Sequence, residues 1–275
     1  MVIDAHQHFW RYSPARHGWI TDEMAVIRRD FLPKELEQIY RQGDIDGCVA
    51  VQVDQNEAEN EFFLAFARLH PFIKGIVGWV DIQDPKIKER LEYYSTERTI
   101  KGFRHIVQGE SDPNFLLGRD FCRGVGMLNA YNFTYDILVY HYQLVQVEPF
   151  ISKFPKQKFI IDHIAKPAIA KGEIKQWEKY MRSIAKHENV YCKLSGIVTE
   201  ADINHWSYED LAPYLDVVLD CFGPSRLVYG SDWPVCLVAA TYEEQFGVVQ
   251  KAIEKLSPAE KKQILGENAI RFYNL

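Results

Sequence analysis

The sequence has no surplus of positive charge and no long apolar run, and each absence excludes a class of protein. Its 38 acidic and 32 basic residues give a formal net charge of −6, so no basic field attracts nucleic acid or an acidic membrane surface. No apolar stretch approaches the roughly 18 residues that a membrane-spanning helix needs. We therefore expect neither a nucleic-acid partner nor a membrane partner.

Cysteines are few and are not arranged as a framework. There are five of them, an odd number, and no two form a C-x-x-C pair, which favours free thiols in a reducing compartment. The N-terminus shows no basic segment followed by an apolar one, so no signal peptide is expected. Together these observations predict a cytoplasmic location.

Short apolar runs alternate with amphipathic segments along the whole chain. The runs begin at Val2, Gly47, Gly75, Ile100, Phe133, Lys158, Asn189 and Arg226. They are continuously apolar, as strands buried on both faces are, and helical spacing is seen in 33–43, 56–70 and 173–188. Eight strand–helix units in 275 residues predict one α/β domain over 1–275, a (β/α)8 TIM barrel. A doubly wound sheet is the alternative, but no glycine-rich phosphate loop follows the first run.

Polar and aromatic side chains stand where the runs end, which is where chemistry gathers in such a barrel. In chain order they are His6, His8, Gln52, Trp79, Arg104, His105, His141, His163, Lys166, Asp232 and Trp233. His6 and His8 are two residues apart, so on an extended strand both point to one side. Each residue also has a structural reading: Asp232 could cap a turn, and Arg104 could join a surface ion pair. Their convergence favours a functional site.

The connection 10–31 is long and rich in aromatic residues. Loops of this length in compact domains are usually functional, and here the loop is expected to lie over the barrel mouth. Trp10 and Trp19 in this loop, with Trp79 and Trp233, could stack on the flat face of a sugar ring. The alternative is that these large side chains only cover the top of the barrel.

The ordered set of strand-end residues resembles the amidohydrolase superfamily, and within it the amidohydrolase-2 branch. The set comprises His6 and His8 as H-x-H, His163 in "DHIAKP" and Asp232 in "YGSDWP". The C-terminal stretch "LSPAEKKQILGENAIRFYNL" is similar to the last helix of that branch. The stretches "KGFRH", "DHIAKP" and "RRDFLP" resemble its sugar-lactonase group, which contains L-fuconolactonases and L-rhamnonolactonases. The resemblance covers essentially the full chain.

This resemblance implies a hydrolase that opens the ester bond of an aldonolactone in carbohydrate metabolism. Asp232 would take a proton from water, and His8 and His163 would polarise the lactone carbonyl if no metal is bound. One divalent metal ion, with Zn²⁺ expected for imidazole and carboxylate donors, would be held by His6, His8, His163 and Asp232. The substrate would be contacted by Gln52, Trp79, Arg104, His105, His141, Lys166 and Trp233. Arg104 stands where a metal-bridging lysine would be needed, which argues against a second metal.

Two other functions fit the same residues. A zinc-dependent decarboxylase of the same branch would share the three histidines and the aspartate, but would pair an apolar pocket with a single carboxylate-binding arginine. A non-catalytic binding barrel would be expected to lack at least one of the four, and none is missing. The sequence leaves open which sugar and ring size are preferred and whether the metal is required. A homodimer is the assembly considered.

Overall fold

Eight parallel strands follow one another in chain order around one sheet in the computed structural model, which describes residues 1–275. The strands are β1 (Ile3–Gln7), β2 (Gly47–Val51), β3 (Ile73–Gly78), β4 (Ile100–Ile106), β5 (Thr134–Leu138), β6 (Phe159–Ile161), β7 (Val190–Leu194) and β8 (Leu227–Tyr229). Each of the eight apolar runs overlaps one strand. The predicted (β/α)8 barrel is therefore confirmed.

Helices lie between the strands and after the last one. They are α1 (Pro33–Gly43), α2 (Glu57–Leu69), α3 (Ile87–Ser95), α4 (Arg119–Leu128), α5 (Val147–Ile151), α6 (Lys175–Ile184), α7 (Tyr208–Phe222), α8 (Tyr242–Ala252), α9 (Pro258–Lys262) and α10 (Asn268–Tyr273). Pro33 opens α1, where its missing N–H has no helical partner to lose, and Asp44 ends it in the left-handed conformation. The three segments with helical spacing correspond to α1, α2 and α6.

The barrel closes between β1 and β8 through residues at the C-terminal end of β1 and just beyond β8. The backbone N–H of His8 donates to the carbonyl of Trp233 at 2.7 Å, and that of Asp232 donates to the carbonyl of His6 at 2.7 Å. Two residues of the H-x-H pattern thus take part in the same backbone pairing as Asp232. The hydrogen bonds that close the barrel also bring these side chains together.

The N-terminal end of the barrel is closed by α10, which we call the plug. Three of its side chains are buried against the inner faces of the strands; they are Ala269, Phe272 and Tyr273. The ammonium of Lys101 donates to the carbonyl of Asn274 at 2.7 Å, and that of Lys158 donates to the carbonyl of Phe272 at 3.2 Å. Cations are favourable at a helix C-terminus, so both lysines help to fix the plug.

The remaining expectations from composition concern membranes and thiols. No helix combines the length and the apolar character needed to cross a bilayer. All five cysteines are free, and Cys48, Cys192 and Cys236 are buried. Burial raises the pKa of these three thiols well above the usual value, which makes them poor nucleophiles.

Candidate active site

Three imidazoles and one carboxylate meet at the C-terminal end of the barrel. One carboxylate oxygen of Asp232, Oδ1, lies 3.2 Å from Nε2 of His8. The same oxygen lies 3.8 Å from Nε2 of His6 and 3.8 Å from Nε2 of His163. All four side chains are buried. We call His6, His8, His163 and Asp232 the His–Asp cluster.

Contacts at Nδ1 orient the three rings and leave Nε2 available. Nδ1 of His8 lies 2.7 Å from the carbonyl oxygen of Val51; because a carbonyl only accepts, this nitrogen carries the proton and Nε2 carries a lone pair. Nδ1 of His6 lies 3.3 Å from Oδ1 of Asp162. Nδ1 of His163 lies 3.0 Å from the hydroxyl of Ser195. Such outer contacts are typical of metal-ligating histidines.

The electrostatic surroundings keep the imidazoles of His6 and His163 neutral and the carboxylate of Asp232 ionised. Burial, together with the charge of Lys193, lowers the pKa of His6 well below the usual value. Burial also lowers the pKa of His163 well below the usual value, although Asp232 opposes the shift. Burial alone would raise the pKa of Asp232, but His163 and His8 hold it below its usual value. Neutral imidazole and ionised carboxylate are the forms that bind metals.

The geometry of the His–Asp cluster fits one divalent metal ion. Four ligands at about 2.0 Å from a tetrahedral ion lie roughly 3.3 Å apart, close to the 3.2 and 3.8 Å observed. The His163 ring has room because position 196 is glycine. A Cβ at this position would lie 2.4 Å from Nδ1 of His163. Nη1 of Arg104 lies 3.2 Å from Nε2 of His6 and would release that lone pair to a bound ion. His6, His8 and Asp232 therefore lie close enough together to hold a divalent metal, and His163 lies 3.8 Å from the same carboxylate oxygen.

A layer of buried charges lies between the His–Asp cluster and the plug. Nζ of Lys193 lies 2.5 Å from Asp136, 2.9 Å from Asp162 and 3.1 Å from Nδ1 of His6. The hydroxyl of Tyr273 in the plug donates to Asp136 at 2.8 Å. Burial raises the pKa of Asp136 to about 6, with Lys193 opposing the shift. We call Asp136, Asp162 and Lys193 the charged layer; its role was not anticipated from the sequence.

The Arg104 guanidinium is fixed at the floor of the site. Its Nη1 donates to Asp162 at 3.0 Å, and its Nη2 donates to the side-chain oxygen of Gln52 at 3.1 Å and to the Gln52 carbonyl. Gln52, predicted to contact substrate, instead holds Arg104 in place.

A cavity of about 550 Å³ opens above the His–Asp cluster. Its polar lining includes His8, Arg104, His163, Lys166, Glu200 and Asp232. Its apolar lining includes Val53, Ile106, Leu138, Ile203, Val235 and Val238. Nζ of Lys166 lies 2.5 Å from Glu200. The cavity thus combines fixed charges at its floor and an ion pair with apolar side chains.

The connection 10–31 forms part of the cavity, as the sequence predicts. Its two ends are joined because Trp10 and Phe31 exchange backbone hydrogen bonds of 3.0 and 2.9 Å. From this anchored base the loop contributes Trp19, Thr21, Glu23 and Met24 to the lining. Trp10 itself is buried at the base of the loop.

Several residues expected to contact substrate lie behind the cavity wall. Trp233 is fully buried and packs edge-on against Phe31, with ring centroids 5.2 Å apart. His105 stacks on Phe115 at 4.8 Å, and its Nδ1 is 3.4 Å from the indole nitrogen of Trp79. Neither tryptophan nor His105 lines the cavity. Of the predicted substrate contacts, Arg104 and Lys166 are the two that do.

His141 also lies outside the cavity lining, at one end of an unusual backbone turn. Four consecutive residues have positive φ: His163 at 52°, Ile164 at 46°, Ala165 at 60° and Lys166 at 45°. A left-handed conformation costs roughly 1–2 kcal/mol per non-glycine residue, and a β-branched residue there is a clear outlier. Nδ1 of His141 lies 2.9 Å from the carbonyl oxygen of Lys166. We call 163–166 the left-handed turn.

Comparisons with known proteins agree with this geometry. The chain is 39% identical to the L-fucono-1,5-lactonase of Burkholderia multivorans, over 99% of this chain and 96% of that protein. A crystal structure of an amidohydrolase from Burkholderia multivorans with bound zinc is 38% identical and superposes with a TM-score of 0.97, covering 100% of this chain and 99% of that one.

More distant structures share the architecture alone. The 5-carboxyvanillate decarboxylase of Sphingomonas paucimobilis is 13% identical, with a TM-score of 0.65 over 100% of this chain and 99% of that one. The family model described as amidohydrolase matches residues 3–275, which is the whole barrel from β1 through the plug. The resemblance first seen in the strand-end residues is therefore confirmed, and the chain belongs to the amidohydrolase-2 family.

Proposed function

We propose that this chain hydrolyses the ester bond of a sugar-acid lactone, with Asp232 as the general base for the attacking water. The observation that carries the proposal is the carboxylate of Asp232, which lies within 3.8 Å of three imidazole nitrogens at the floor of a polar cavity. The similarity to an L-fucono-1,5-lactonase over 99% of the chain supports the same chemistry.

His6, His8, His163 and Asp232 hold one divalent metal ion, and Zn²⁺ suits a set of imidazole and carboxylate donors. The zinc in a similar structure supports that choice. Held by these residues, a divalent ion would polarise the lactone carbonyl and would lower the pKa of a bound water to about 7. The four side chains are buried, so the site also excludes bulk water from the ligands.

The protein groups account for every proton in the hydrolysis. Oδ1 of Asp232 faces the imidazoles, and Oδ2 accepts the proton of the attacking water. The new C–O bond places negative charge on the carbonyl oxygen, which the fixed guanidinium of Arg104 stabilises. The ring C–O bond then breaks, and Asp232 returns its proton to the departing oxygen.

The walls of the cavity suit a ring that carries several hydroxyls. The pKa of Lys166 is raised, because Glu200 and Asp232 outweigh the effect of burial, so its ammonium stays charged and donates hydrogen bonds. Glu200 and Glu23 offer acceptors. The apolar lining side chains suit the C–H face of a sugar.

A decarboxylase is the second candidate, because the apolar lining and Arg104 could also bind an aromatic carboxylate. The additional charged groups, Lys166, Glu200 and Glu23, favour the lactone. A non-catalytic barrel is not proposed, since all four members of the His–Asp cluster are present and converge.

The test is proton release at near-neutral pH with a panel of five- and six-membered sugar lactones. The protein is assayed as purified, after dialysis against a chelator, and after Zn²⁺ is restored. We expect fast release with one or two lactones, loss on chelation and recovery with Zn²⁺. No proton release with any lactone of the panel, together with CO₂ release from aromatic acids, would favour the decarboxylase.

A cytoplasmic location and a homodimer stay predictions.

A further inference from the structure

The left-handed turn allows two neighbouring residues to face the barrel interior. Successive side chains of a strand point to opposite faces, so an extended backbone after β6 would direct only one of Asp162 and His163 inward. Asp162 reaches Nη1 of Arg104 at 3.0 Å, and Nε2 of His163 lies 3.8 Å from Asp232. The positive φ of His163, 52°, lets its side chain face the barrel interior beside that of Asp162.

Two side chains from outside the turn hold its carbonyl groups. The indole nitrogen of Trp177, on α6, donates to the carbonyl of Ile164 at 2.7 Å. Nδ1 of His141 lies 2.9 Å from the carbonyl of Lys166, and because a carbonyl only accepts, Nδ1 is the donor. Inside the turn there is one backbone bond, from the N–H of Lys166 to the carbonyl of His163 at 2.8 Å.

The turn needs these bonds because its own sequence does not favour it. It contains no glycine, and its second residue is the β-branched Ile164. Such a conformation persists where the surroundings over-determine it, and it clusters at functional sites. Trp177 is fully buried, and its ring packs against that of Tyr214 with centroids 5.3 Å apart. This packing fixes the position of the indole donor.

We propose that Trp177 and His141 are positioning residues that hold the left-handed turn and thereby set the orientation of His163 in the His–Asp cluster. Neither side chain lines the cavity. Their effect reaches the site through the backbone carbonyls of Ile164 and Lys166. This inference rests on the metal site of the proposed function, and it adds two residues to the apparatus that determines metal affinity.

The variant Trp177→Phe removes the donor and keeps most of the buried ring. Trp206→Phe is the matched control, because the Trp206 indole also donates to a backbone carbonyl, that of Ala239, at 2.8 Å, away from the turn. His141→Leu removes the other donor, and His141→Asn restores an N–H near the place of Nδ1. Two quantities are measured on the full chain: amide hydrogen exchange of residues 159–170, and Zn²⁺ affinity by competition with a chromophoric chelator.

We expect faster exchange in 159–170 and Zn²⁺ binding weakened by about 10-fold or more in Trp177→Phe and His141→Leu. Trp206→Phe should match the wild type in both, and His141→Asn should recover most of the affinity. Unchanged exchange, or faster exchange with unchanged affinity, would overturn the inference.

A wild-type protein that takes up no Zn²⁺ would instead refute the metal site of the proposed function. The positioning role is then judged on lactone turnover by the metal-free protein. We expect kcat to fall in Trp177→Phe and His141→Leu with KM little changed, and His141→Asn to recover it. An unchanged kcat would overturn the inference in that case.

Discussion

The two ends of the barrel are built in opposite ways. At the C-terminal end, imidazoles, carboxylates and cations are buried together beside the left-handed turn. Such a functional arrangement lowers the stability of the fold. At the N-terminal end, the plug buries Phe272 and Tyr273 against the apolar inner faces of the strands. The difference teaches that this fold places its chemistry at one end and its stabilising contacts at the other. The charged layer joins the two ends, because Lys193 contacts His6 while Tyr273 contacts Asp136.

The strongest test of this division is Asp232→Asn at the mouth. We expect kcat for the preferred lactone to fall by about 10²–10⁴, the usual contribution of a general base, while the protein still folds. Asparagine keeps the volume and one oxygen of the side chain, so the packing at the mouth is retained. Steady-state kinetics and chemical denaturation are measured on the same preparation.

The control for this variant is Asp120→Asn, at a half-exposed carboxylate on α4. This variant should leave kcat and the unfolding midpoint unchanged. Turnover above a tenth of the wild-type rate in Asp232→Asn would refute the base assignment.

Lys193→Met should affect both ends at once, since this lysine belongs to the charged layer. Losing its ammonium leaves Asp136 and Asp162 without their shared cation, and breaking such a buried pair costs about 3–5 kcal/mol of stability. The loss of its contact to His6 should also weaken Zn²⁺ binding. Urea denaturation and chelator competition give the two values.

The double variant Lys193→Met with Asp136→Asn sharpens the result. It also removes the carboxylate of Asp136, one of the two buried charges that lose their cation in Lys193→Met. Part of the lost stability should therefore return. A single variant that loses stability but binds Zn²⁺ like the wild type would show that the layer does not connect the ends.

Phe272→Ala tests the plug alone. Deleting a fully buried phenylalanine costs about 3–5 kcal/mol, whereas kcat/KM of the folded fraction should change by less than about twofold, because the sites are distant and share no contacts. Denaturation curves and kinetics below the transition provide the measurement. Leu69→Ala, at a side chain that is 75% exposed, is the control and should change stability by less than about 0.5 kcal/mol.

A pH dependence of stability is also expected at Glu59, whose carboxylate accepts hydrogen bonds from the backbone N–H groups of Val53 and Asp54 just after β2. Burial raises the pKa of Glu59 to about 8 from a usual value of 4.5, although the backbone N–H groups of Asp54 and Val53 favour the charged form. The folded state therefore binds this proton more tightly than the unfolded state, and stability declines as pH rises from about 4.5 to 8.

Glu59→Gln removes the ionisation. The difference in unfolding midpoint between this variant and the wild type should favour the variant more at pH 8 than at pH 5. Denaturation midpoints at both pH values measure it. Glu61→Gln, at an exposed glutamate on the same helix, should show no such trend. A margin for Glu59→Gln that is equal at both pH values would contradict the shift.

Sequence patterns predicted the strands and the convergence of polar side chains at their C-terminal ends, because each depends on a local rule. The resemblance to the amidohydrolase family then singled out His6, His8, His163 and Asp232 among those side chains. Continuous apolar runs identify strands covered on both sides, and parallel strands bring their ends to one edge. The same rule of alternation separates Arg104 from His105: as neighbours on β4 they take opposite faces, so Arg104 faces the interior while His105 packs against Phe115.

Other features depend on contacts between segments distant in the chain. Trp233 follows Asp232 in the sequence, yet its indole packs beside Phe31 from the anchored loop. The Tyr273 hydroxyl reaches Asp136 only because α10 docks under the barrel. The left-handed turn has no glycine to signal it. No single-segment pattern contains this information.

The plug has a consequence for the order of folding. Residues 268–273 follow all eight strands in the chain, so the inner apolar layer at this end cannot be covered until after β8 has left the ribosome. Contacts such as that between Asp136 and Tyr273 span 137 positions, and contacts so distant in sequence slow folding. A nascent chain that already contains β1 to β8 therefore still exposes an open apolar end, which is the stage at which a chaperone would find a binding surface.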